Sequence, residues 1–335
     1  MKAHISPNVQ SETGDLQGVI IHTPGKEVED MTPQSAERAL YSDILNFSVV
    51  SREYQIFSQL LRRVSSVYEI RELLRDILED HRVKQQILKT ICENEQTECI
   101  LEEMMALPAT EVASLLIEGV PMQKNNLTKF LSPEKYTLQP LHNFFFTRDA
   151  AITFNHQVFI ARMASRVRER EALITEAIFR YHPLLSGTPT VNPLDAWRIN
   201  RNITLEGGDI LIARHDILLI GIGKRTRSEG VDFILEHLKT SKQDCHLLVQ
   251  ELPLEPESFI HLDMVFTFVD QHHCMVYRPV ILNPNMFRTI HIQVEAGEVC
   301  NIEEPDNLLS GLNKLGMDVK PLSCGGNSDP WIQER

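Results

Sequence analysis

Residues 205–221, LEGGDILIARHDILLIG, place two apolar runs on either side of a short polar connection at residues 214–216. Apolar runs joined in this way predict a β-hairpin. The residues before the first run are unusual, because Glu206 and Asp209 set two carboxylates, separated by two glycines, at the mouth of a strand that is apolar enough to be buried. Acids at the entrance of a buried strand need a partner or a function.

The same pattern recurs along the chain. Segments that begin with Asp, continue as an apolar run, turn through polar residues and return as an apolar run start at Asp149, Asp209 and Asp263. A single Asp here is commonly a turn former. A repeated strand–strand–helix unit is too short to bury its own apolar face, so the units are expected to pack around a common axis. Their leading carboxylates would then form an acidic cup that binds a planar cation through paired, charge-assisted hydrogen bonds.

Composition limits the classes of function. The 335 residues include 33 Lys and Arg against 46 Asp and Glu, a formal net charge of -13. Such an acidic surface disfavours nucleic acid and anionic membranes as partners and favours a small cationic substrate. No apolar run approaches the about 20 residues that cross a bilayer, and the N-terminus lacks the apolar core of a signal peptide, so we predict a cytoplasmic protein. The six cysteines form no CxxC pair, which indicates reduced thiols rather than disulfides or a zinc site.

The residue composition and the spacing of apolar residues change along the chain. LQGVIIHTPGKE predicts a strand that runs into a Pro-Gly turn, and residues 33–65 carry apolar positions at helical spacing, as in Ile56, Leu60 and Leu61. Residues 70–130 are rich in Leu, Glu, Lys and Arg and predict a string of short amphipathic helices. These helices form either a subdomain set into a different architecture or the continuation of one mixed domain.

Three short motifs surround the acids: HNFFFTRDA (142–150), LEGGD (205–209) and HLDMVFTFVD (261–270). In the last, His261 and Asp263 are two residues apart, so on a strand they would point to the same face. A histidine beside a carboxylate suits proton transfer near neutral pH. A lone histidine is more often structural, but the neighbouring Asp263 and the separate Glu206 favour a catalytic role.

In their order and intervals, PLHNFFFTRDA, LEGGD, GIGKRT and HLDMVFTFVD resemble the motifs of the arginine deiminases in the guanidino-group-modifying superfamily. SETGDLQGVIIHTPGKE, the MTP that starts at Met31, LYSDI and CGGN fit the same pattern, so the resemblance covers essentially the whole chain. It implies an α/β fold, a pseudo-fivefold α/β propeller of ββαβ units with an inserted helical subdomain and an incomplete last module. Residues 1–68 would begin the propeller, 69–135 would form the helical subdomain, and 136–335 would form the rest, truncated at the C-terminus.

The resemblance also implies a reaction, the hydrolysis of L-arginine to L-citrulline and ammonia in arginine catabolism. A Cys thiolate attacks the guanidinium carbon, ammonia leaves, and water cleaves the covalent Cys-amidino intermediate. By resemblance, Asp149 and Asp263 grip the guanidinium nitrogens. His261 moves the protons, and Glu206 orients His261.

The amino-acid end of L-arginine has its own expected contacts. By resemblance, Arg166 and Arg225 pair with the substrate carboxylate, and Asn143 contacts the same end. Arginine recognises a carboxylate through two parallel hydrogen bonds, which fits these roles. No metal and no cofactor are required, L-arginine is the expected partner, and a homo-oligomer is left open.

The chain departs from the family pattern in three places. Ala150 and Ala151 follow TRD, where a Pro and an aromatic residue are common, and PLHN replaces a PMPN-like run. LSCGGNSDPWIQER stops inside a motif that continues in relatives towards the Cys nucleophile. Cys324 precedes two glycines, whereas the family nucleophile follows a glycine-rich loop. The nucleophile is therefore expected beyond Arg335, in a longer native product, and the chain as written is expected to lack turnover.

Other functions remain open. An agmatine deiminase or an amidinotransferase would keep the fold, although Arg166 and Arg225 argue for a substrate that carries a carboxylate. A metal-dependent ureohydrolase could use His261, Asp263 and the pair His272–His273, but its DxHxD motifs are absent. A non-catalytic arginine-binding protein is the third alternative.

Overall fold

The computed structural model describes residues 4–29, 31, 45–194, 202–255, 259–282 and 286–322. The motifs LYSDI at 40–44 and CGGN at 324–327, with most of MTP, lie outside the described residues. The chain divides into two compact units. Unit 1 comprises Met1–Ser6, Leu16–Thr147 and Ser165–Thr188, and unit 2 comprises Pro7–Asp15, Arg148–Ala164 and Pro189–Arg335.

Strands are distributed along the whole described chain. In order they are β1 (Gly18–Ile21), β2 (Ser66–Glu69), β3 (Val120–Pro121), β4 (Tyr136–Leu138), β5 (Ala151–Phe154), β6 (Gln157–Ile160), β7 (Thr190–Val191), β8 (Ile210–Arg214), β9 (Ile217–Ile222), β10 (Cys245–Glu251), β11 (Phe266–Phe268), β12 (His273–Val276), β13 (Thr289–Glu295), β14 (Glu298–Glu303) and β15 (Lys320–Leu322).

Helices alternate with these strands, so the fold is α/β. The α-helices are α1 (Lys26–Glu29), α2 (Phe47–Val64), α3 (Ile70–Leu78), α4 (His81–Glu95), α5 (Leu101–Ala106), α6 (Ala109–Glu118), α7 (Leu127–Leu131), α8 (Thr147–Ala150), α9 (Glu169–Tyr181), α10 (Ser228–Ser241), α11 (Arg278–Ile281) and α12 (Leu308–Lys314). Short 3-10 helices cover Glu98–Ile100, Arg166–Arg168, Gly207–Asp209 and Leu262–Met264.

The repeated strand–strand–helix–strand unit is present. β5 and β6 pair antiparallel, α9 follows in the chain, and β7 pairs parallel with β6. β8, β9, α10 and β10 repeat this order, as do β11, β12, α12 and β15 around an extra hairpin of β13 and β14. The hairpins predicted after Asp149, Asp209 and Asp263 are thereby confirmed. The pseudo-fivefold ring and its incomplete last module stay predictions.

The core of unit 2 lies on both faces of the sheet β14-β13-β10-β9-β8. Successive side chains of a strand point to opposite faces, and β9 shows this directly. Leu219 packs with Leu308 and Leu312 of α12, whereas Leu218 packs with Ile234 of α10 and its neighbours. Burial on both faces explains why β9 is apolar throughout.

Unit 1 contains the predicted string of helices, and residues that commonly begin or end helices lie at their ends. The Asp80 side chain accepts hydrogen bonds from the first turn of α4, and Pro108 precedes α6. Gly119 ends α6 at φ 85, where a Cβ would lie 2.7 Å from the Leu138 carbonyl oxygen. The predicted helix within 33–65 is α2, which buries none of its residues. The boundaries at residues 69 and 135 stay predictions.

Among the described residues, no helix combines the length and the apolar character that a membrane span requires.

Candidate active site

The two glycines of LEGGD allow the backbone to pass close to the residues that precede β5 and to His261, which lies between β10 and β11. A Cβ on Gly207 would lie 1.9 Å from the Arg148 carbonyl oxygen. A Cβ on Gly208 would lie 2.6 Å from His261 Nδ1 and 3.0 Å from Asp149 Oδ1. Only residues without a side chain fit here, and this close approach brings Glu206 to His261.

The centre of the site is the contact between Glu206 and His261. Glu206 Oε2 lies 2.9 Å from His261 Nε2, and Glu206 Oε1 accepts a hydrogen bond of 2.8 Å from the Ala164 backbone nitrogen. On the other edge of the imidazole, Nδ1 lies 4.0 Å from Asp149 Oδ1. Glu206 is fully buried and His261 nearly so. The ring is therefore held between two carboxylates, with Nδ1 towards Asp149.

His261 is positively charged at neutral pH. Burial lowers its pKa, but the hydrogen bond to Glu206 and the negative charges of Asp209, Asp149 and Glu206 outweigh burial and raise the pKa to about 9. An imidazolium in this position can donate a proton to a leaving group, and the neutral ring can then accept one from water.

Asp149 and Asp263 contribute the other carboxylates. Asp149 lies in α8 and is buried, whereas Asp263 lies in the 3-10 turn Leu262–Met264 and retains an exposed surface. Protein atoms around the Asp263 carboxyl still remove enough water to raise its pKa to about 6, and the like charge of Asp149 adds to the increase. The two acids are therefore close enough to interact through their charges.

The strand argument for His261 and Asp263 is wrong. His261 is extended, but it caps a 3-10 turn, and β11 begins only at Phe266. The two side chains belong to one cluster because the turn folds back towards Glu206 and Asp149, not because they alternate along a strand.

Asp209 is a buried acid to which the sequence assigned no catalytic role. Its Oδ1 accepts a hydrogen bond of 3.0 Å from the Leu262 backbone nitrogen, and its Oδ2 has no hydrogen-bond partner among the described residues. Burial raises its pKa to about 8. Asp209 therefore ties LEGGD to the turn that carries His261 and Asp263.

Arg148, the residue before Asp149, holds this part of the chain through hydrogen bonds to three other residues. Its guanidinium donates to both carboxylate oxygens of Glu12, with the shorter bond at 2.7 Å. It also donates to the backbone oxygens of Gly207 and Ile210. The sequence gave no reason to single out Glu12, which lies far from the other residues along the chain.

Arg225 lies beside Glu206 in unit 2. Its Nη1 is 3.8 Å from Glu206 Oε1, and its Nε has no hydrogen-bond partner within the part of the chain that the structure describes. The side chain is buried. Its expected contact with a substrate carboxylate stays a prediction.

Asn143 and Arg166 belong to unit 1. Asn143 is buried and its backbone oxygen is 3.5 Å from Arg168 Nη2, whereas Arg166 is exposed and donates to the Asn94 backbone oxygen at 3.4 Å. Arg168 is itself buried and paired with Glu171. The arginine next to Asn143 is therefore Arg168, which the alternation of arginines in RVRER did not distinguish from Arg166. The substrate-binding roles of Asn143 and Arg166 stay predictions.

Two of the described cysteines in unit 2, Cys245 and Cys274, are buried. Burial raises the pKa of Cys245 and Cys274 to about 12, which keeps both as thiols, and each sulfur bonds to a backbone carbonyl, that of His246 or Lys320. Cys324 lies outside the described residues. His273, considered above as a metal ligand, pairs with Asp270, and the described ranges hold no group of three or more residues suited to a metal ion.

Comparisons with known proteins agree on one family. The family model described as arginine deiminase matches residues 37–328. The arginine deiminase of Borrelia duttonii is 32% identical over 340 residues, which cover 95% of this chain and 81% of that protein. The arginine deiminase of Bacillus cytotoxicus is 29% identical and covers the same shares, 95% and 81%.

Solved structures resemble the chain only weakly. Dimethylarginine dimethylaminohydrolase from Pseudomonas aeruginosa, in complex with citrulline, has 12% identity and a TM-score of 0.42, with 92% of each chain covered. An amidinotransferase of Microseira wollei has 12% identity and a TM-score of 0.48, with 97% of this chain and 81% of that chain covered. Neither likeness carries a conclusion about this chain.

Proposed function

We propose, since the chain belongs to the arginine deiminase family of hydrolases that act on guanidino carbon–nitrogen bonds, that it converts L-arginine and water to L-citrulline and ammonia in arginine catabolism. The observation that carries the proposal is the buried Glu206–His261 pair, with a second carboxylate at 4.0 Å on the opposite edge of the imidazole. A histidine charged at neutral pH beside several acids suits a cationic substrate that must lose ammonia.

The carboxylates provide the affinity for the guanidinium group. Asp149 and Asp263 each offer two oxygens to a planar cation, and charge-assisted hydrogen bonds of this kind are strong in a desolvated site. A guanidinium bound between Asp149 and Asp263 would offset the repulsion between their negative charges. It would therefore lower the pKa of Asp263 and favour its ionised form. Binding and ionisation therefore support one another.

His261 donates and accepts the protons that the reaction requires. In the proposed sequence, a cysteine thiolate adds to the guanidinium carbon, and His261 protonates the departing nitrogen, which leaves as ammonia. The neutral imidazole next takes a proton from water as its oxygen bonds to the amidino carbon. The carbon–sulfur bond then breaks to regenerate the thiolate, and the remaining hydroxyl proton passes to solvent to leave the ureido group of citrulline. Glu206 stabilises the charged imidazolium at both stages.

Neither Cys245 nor Cys274 can be the nucleophile, because both are buried thiols. Nucleophilic catalysis by cysteine requires a thiolate near a positive group. The citrulline assay of Cys324→Ser tests whether the cysteine of the CGGN motif supplies the nucleophile.

The test measures citrulline and ammonia after incubation with L-arginine, alongside calorimetric binding of L-arginine. Equal amounts of both products, lost in Asp149→Asn and kept in Asp270→Asn, would support the proposal. Asp270 is a suitable control because its carboxylate is exposed on the β11–β12 turn, where it pairs with His273. Binding of L-arginine without product would support the guanidinium site but would show that this sequence supplies no working nucleophile, and no binding at all would refute both the deiminase proposal and the arginine-binding alternative.

A further inference from the structure

Asn143, the residue expected to contact the amino-acid end of the substrate, lies in a β-turn of residues 141–144. The Phe144 backbone nitrogen donates to the Leu141 backbone oxygen at 3.2 Å, which closes the turn. The φ angles of His142 and Asn143 are both negative, as a type I turn requires. His142 therefore occupies the second position of the turn.

Proline is favoured at this second position, because its ring fixes φ at about −65°. The run PLHN has a histidine there, in place of the proline of a PMPN-like run. A histidine does not fix φ, so forming the turn costs more backbone entropy. A contact made by the histidine side chain can offset this cost.

His142 makes such a contact with the segment that follows β1. The His142 side chain is buried, and its Nδ1 donates to the Glu27 backbone oxygen. Glu27 is itself held in place, because its Oε1 accepts a hydrogen bond of 2.7 Å from the Gly25 backbone nitrogen and lies 2.9 Å from His22 Nε2. His22 and Glu27 are both almost fully buried. The Glu27 carbonyl is therefore a fixed acceptor for the His142 ring.

Two further contacts join the same two segments. The His22 ring centroid lies 5.3 Å from that of Phe144, and Thr147 Oγ1 donates to the Ile20 backbone oxygen at 3.1 Å. Both segments belong to unit 1. The contacts of residues 142, 144 and 147 therefore place the turn against a fixed part of the same unit.

We propose that His142 is a positioning residue, which holds the turn through the Glu27 carbonyl and so presents Asn143 to the amino-acid end of L-arginine. The hydrogen bond takes the place of the constraint that a proline ring would supply. This inference rests on the proposed function, which provides L-arginine as the ligand.

The first test measures L-arginine affinity by calorimetry in three variants of His142. His142→Leu cannot donate, and we expect it to bind about threefold to tenfold more weakly, the range of one neutral hydrogen bond. His142→Asn keeps a donor at the δ position, and His142→Pro fixes φ without a donor, so both should bind within about twofold of the wild type. His81→Leu is the matched control, since His81 is an exposed histidine of unit 1.

The second test needs no ligand. Amide hydrogen exchange at Phe144, whose N–H closes the turn, should be about threefold or more faster in His142→Leu and close to the wild-type rate in His142→Asn and His142→Pro. If His142→Leu does not fold, His142→Met replaces it, because a methionine fills irregular space and cannot donate.

A double variant shows whether the effect passes through Asn143. In an Asn143→Ala background, His142→Leu should cause no further loss of L-arginine affinity. Equal losses in all three His142 variants would indicate packing of the imidazole instead and would overturn the proposal. No binding by the wild type would refute the proposed function and with it the substrate role of the turn. Wild-type affinity and exchange in His142→Leu would refute the role of His142 alone.

Discussion

Glu206 Oε2 and His261 Nε2 form a hydrogen bond of 2.9 Å, with Glu206 fully buried and His261 almost so. The bond depends on the backbone of Gly208, which runs against the imidazole ring. Glu206, the two glycines that follow it and His261, 55 residues further along the chain, therefore form one site. Its consequences can be measured.

Gly208→Ala should displace His261, because the new Cβ would lie 2.6 Å from its Nδ1. We expect a loss of about 1–3 kcal/mol in the free energy of unfolding from overpacking. Any citrulline formation should fall about a hundredfold, because misplacing a catalytic group by an ångström has this effect. Gly18→Ala is the control, since its Cβ would meet nothing closer than 3.4 Å. Wild-type stability and activity in Gly208→Ala would contradict the close approach.

Glu206→Gln should lower the pKa of His261 from about 9, because the hydrogen bond and charge of Glu206 help to raise it. Titration of the His261 ring by NMR measures this pKa without requiring activity. If His261 acts as the general acid, the alkaline limb of the pH–rate profile should move to lower pH by the same amount. An unchanged His261 titration would show that Glu206 does not set its charge.

Asp209→Asn should stabilise the protein at alkaline pH. The pKa of Asp209 is raised from 3.8 to about 8 by burial, so its contribution to stability is full below pH 3.8 and is lost as pH rises through 8. The amide keeps an acceptor for the Leu262 nitrogen but cannot ionise. We expect a gain of about 1–3 kcal/mol in the free energy of unfolding at pH 9, measured by denaturant unfolding at several pH values. A steeper loss of stability with pH than in wild type would contradict this assignment.

Arg225→Ala should weaken binding of L-arginine more than binding of agmatine, because only L-arginine offers a carboxylate to the guanidinium of Arg225. A difference of about tenfold or more between the two ligands is expected from one charged hydrogen bond, and calorimetry measures both dissociation constants. Lys224→Ala is the control, since Lys224 is exposed next to Arg225. Equal losses for both ligands would indicate that Arg225 acts through Glu206, which lies 3.8 Å away.

Local patterns were sufficient for the elements of the fold. The hairpins after Asp149, Asp209 and Asp263 could be predicted from the apolar run on each side of a polar turn. Two such runs, buried side by side, have few other ways to form the hydrogen bonds of their backbone groups. The helices between residues 70 and 118 could be predicted from their spacing and from breaks such as Pro108. The convergence of the acids was expected from the repeat, which places equivalent residues at equivalent strand ends.

The tertiary structure decided which atoms meet. The prediction that His261 and Asp263 lie together was right, but its argument from strand alternation was wrong, since a 3-10 turn replaces the expected strand. The sequence did not distinguish Arg168, which is buried, from Arg166, which is exposed. It also gave no sign that Asp209 would be buried with one oxygen unsatisfied.

The sequence by itself determined the α/β class, the hairpins and the residue types at the acid cluster, because these depend on near neighbours along the chain. Only the tertiary structure decided the orientation of His261 and the hydrogen bonds of Arg148 to Glu12. Each of these depends on backbone segments tens of residues apart, whose approach is set by packing and by where glycine removes a side chain. The charge of His261 follows from that approach, because a pKa responds to distance and burial rather than to position in the sequence.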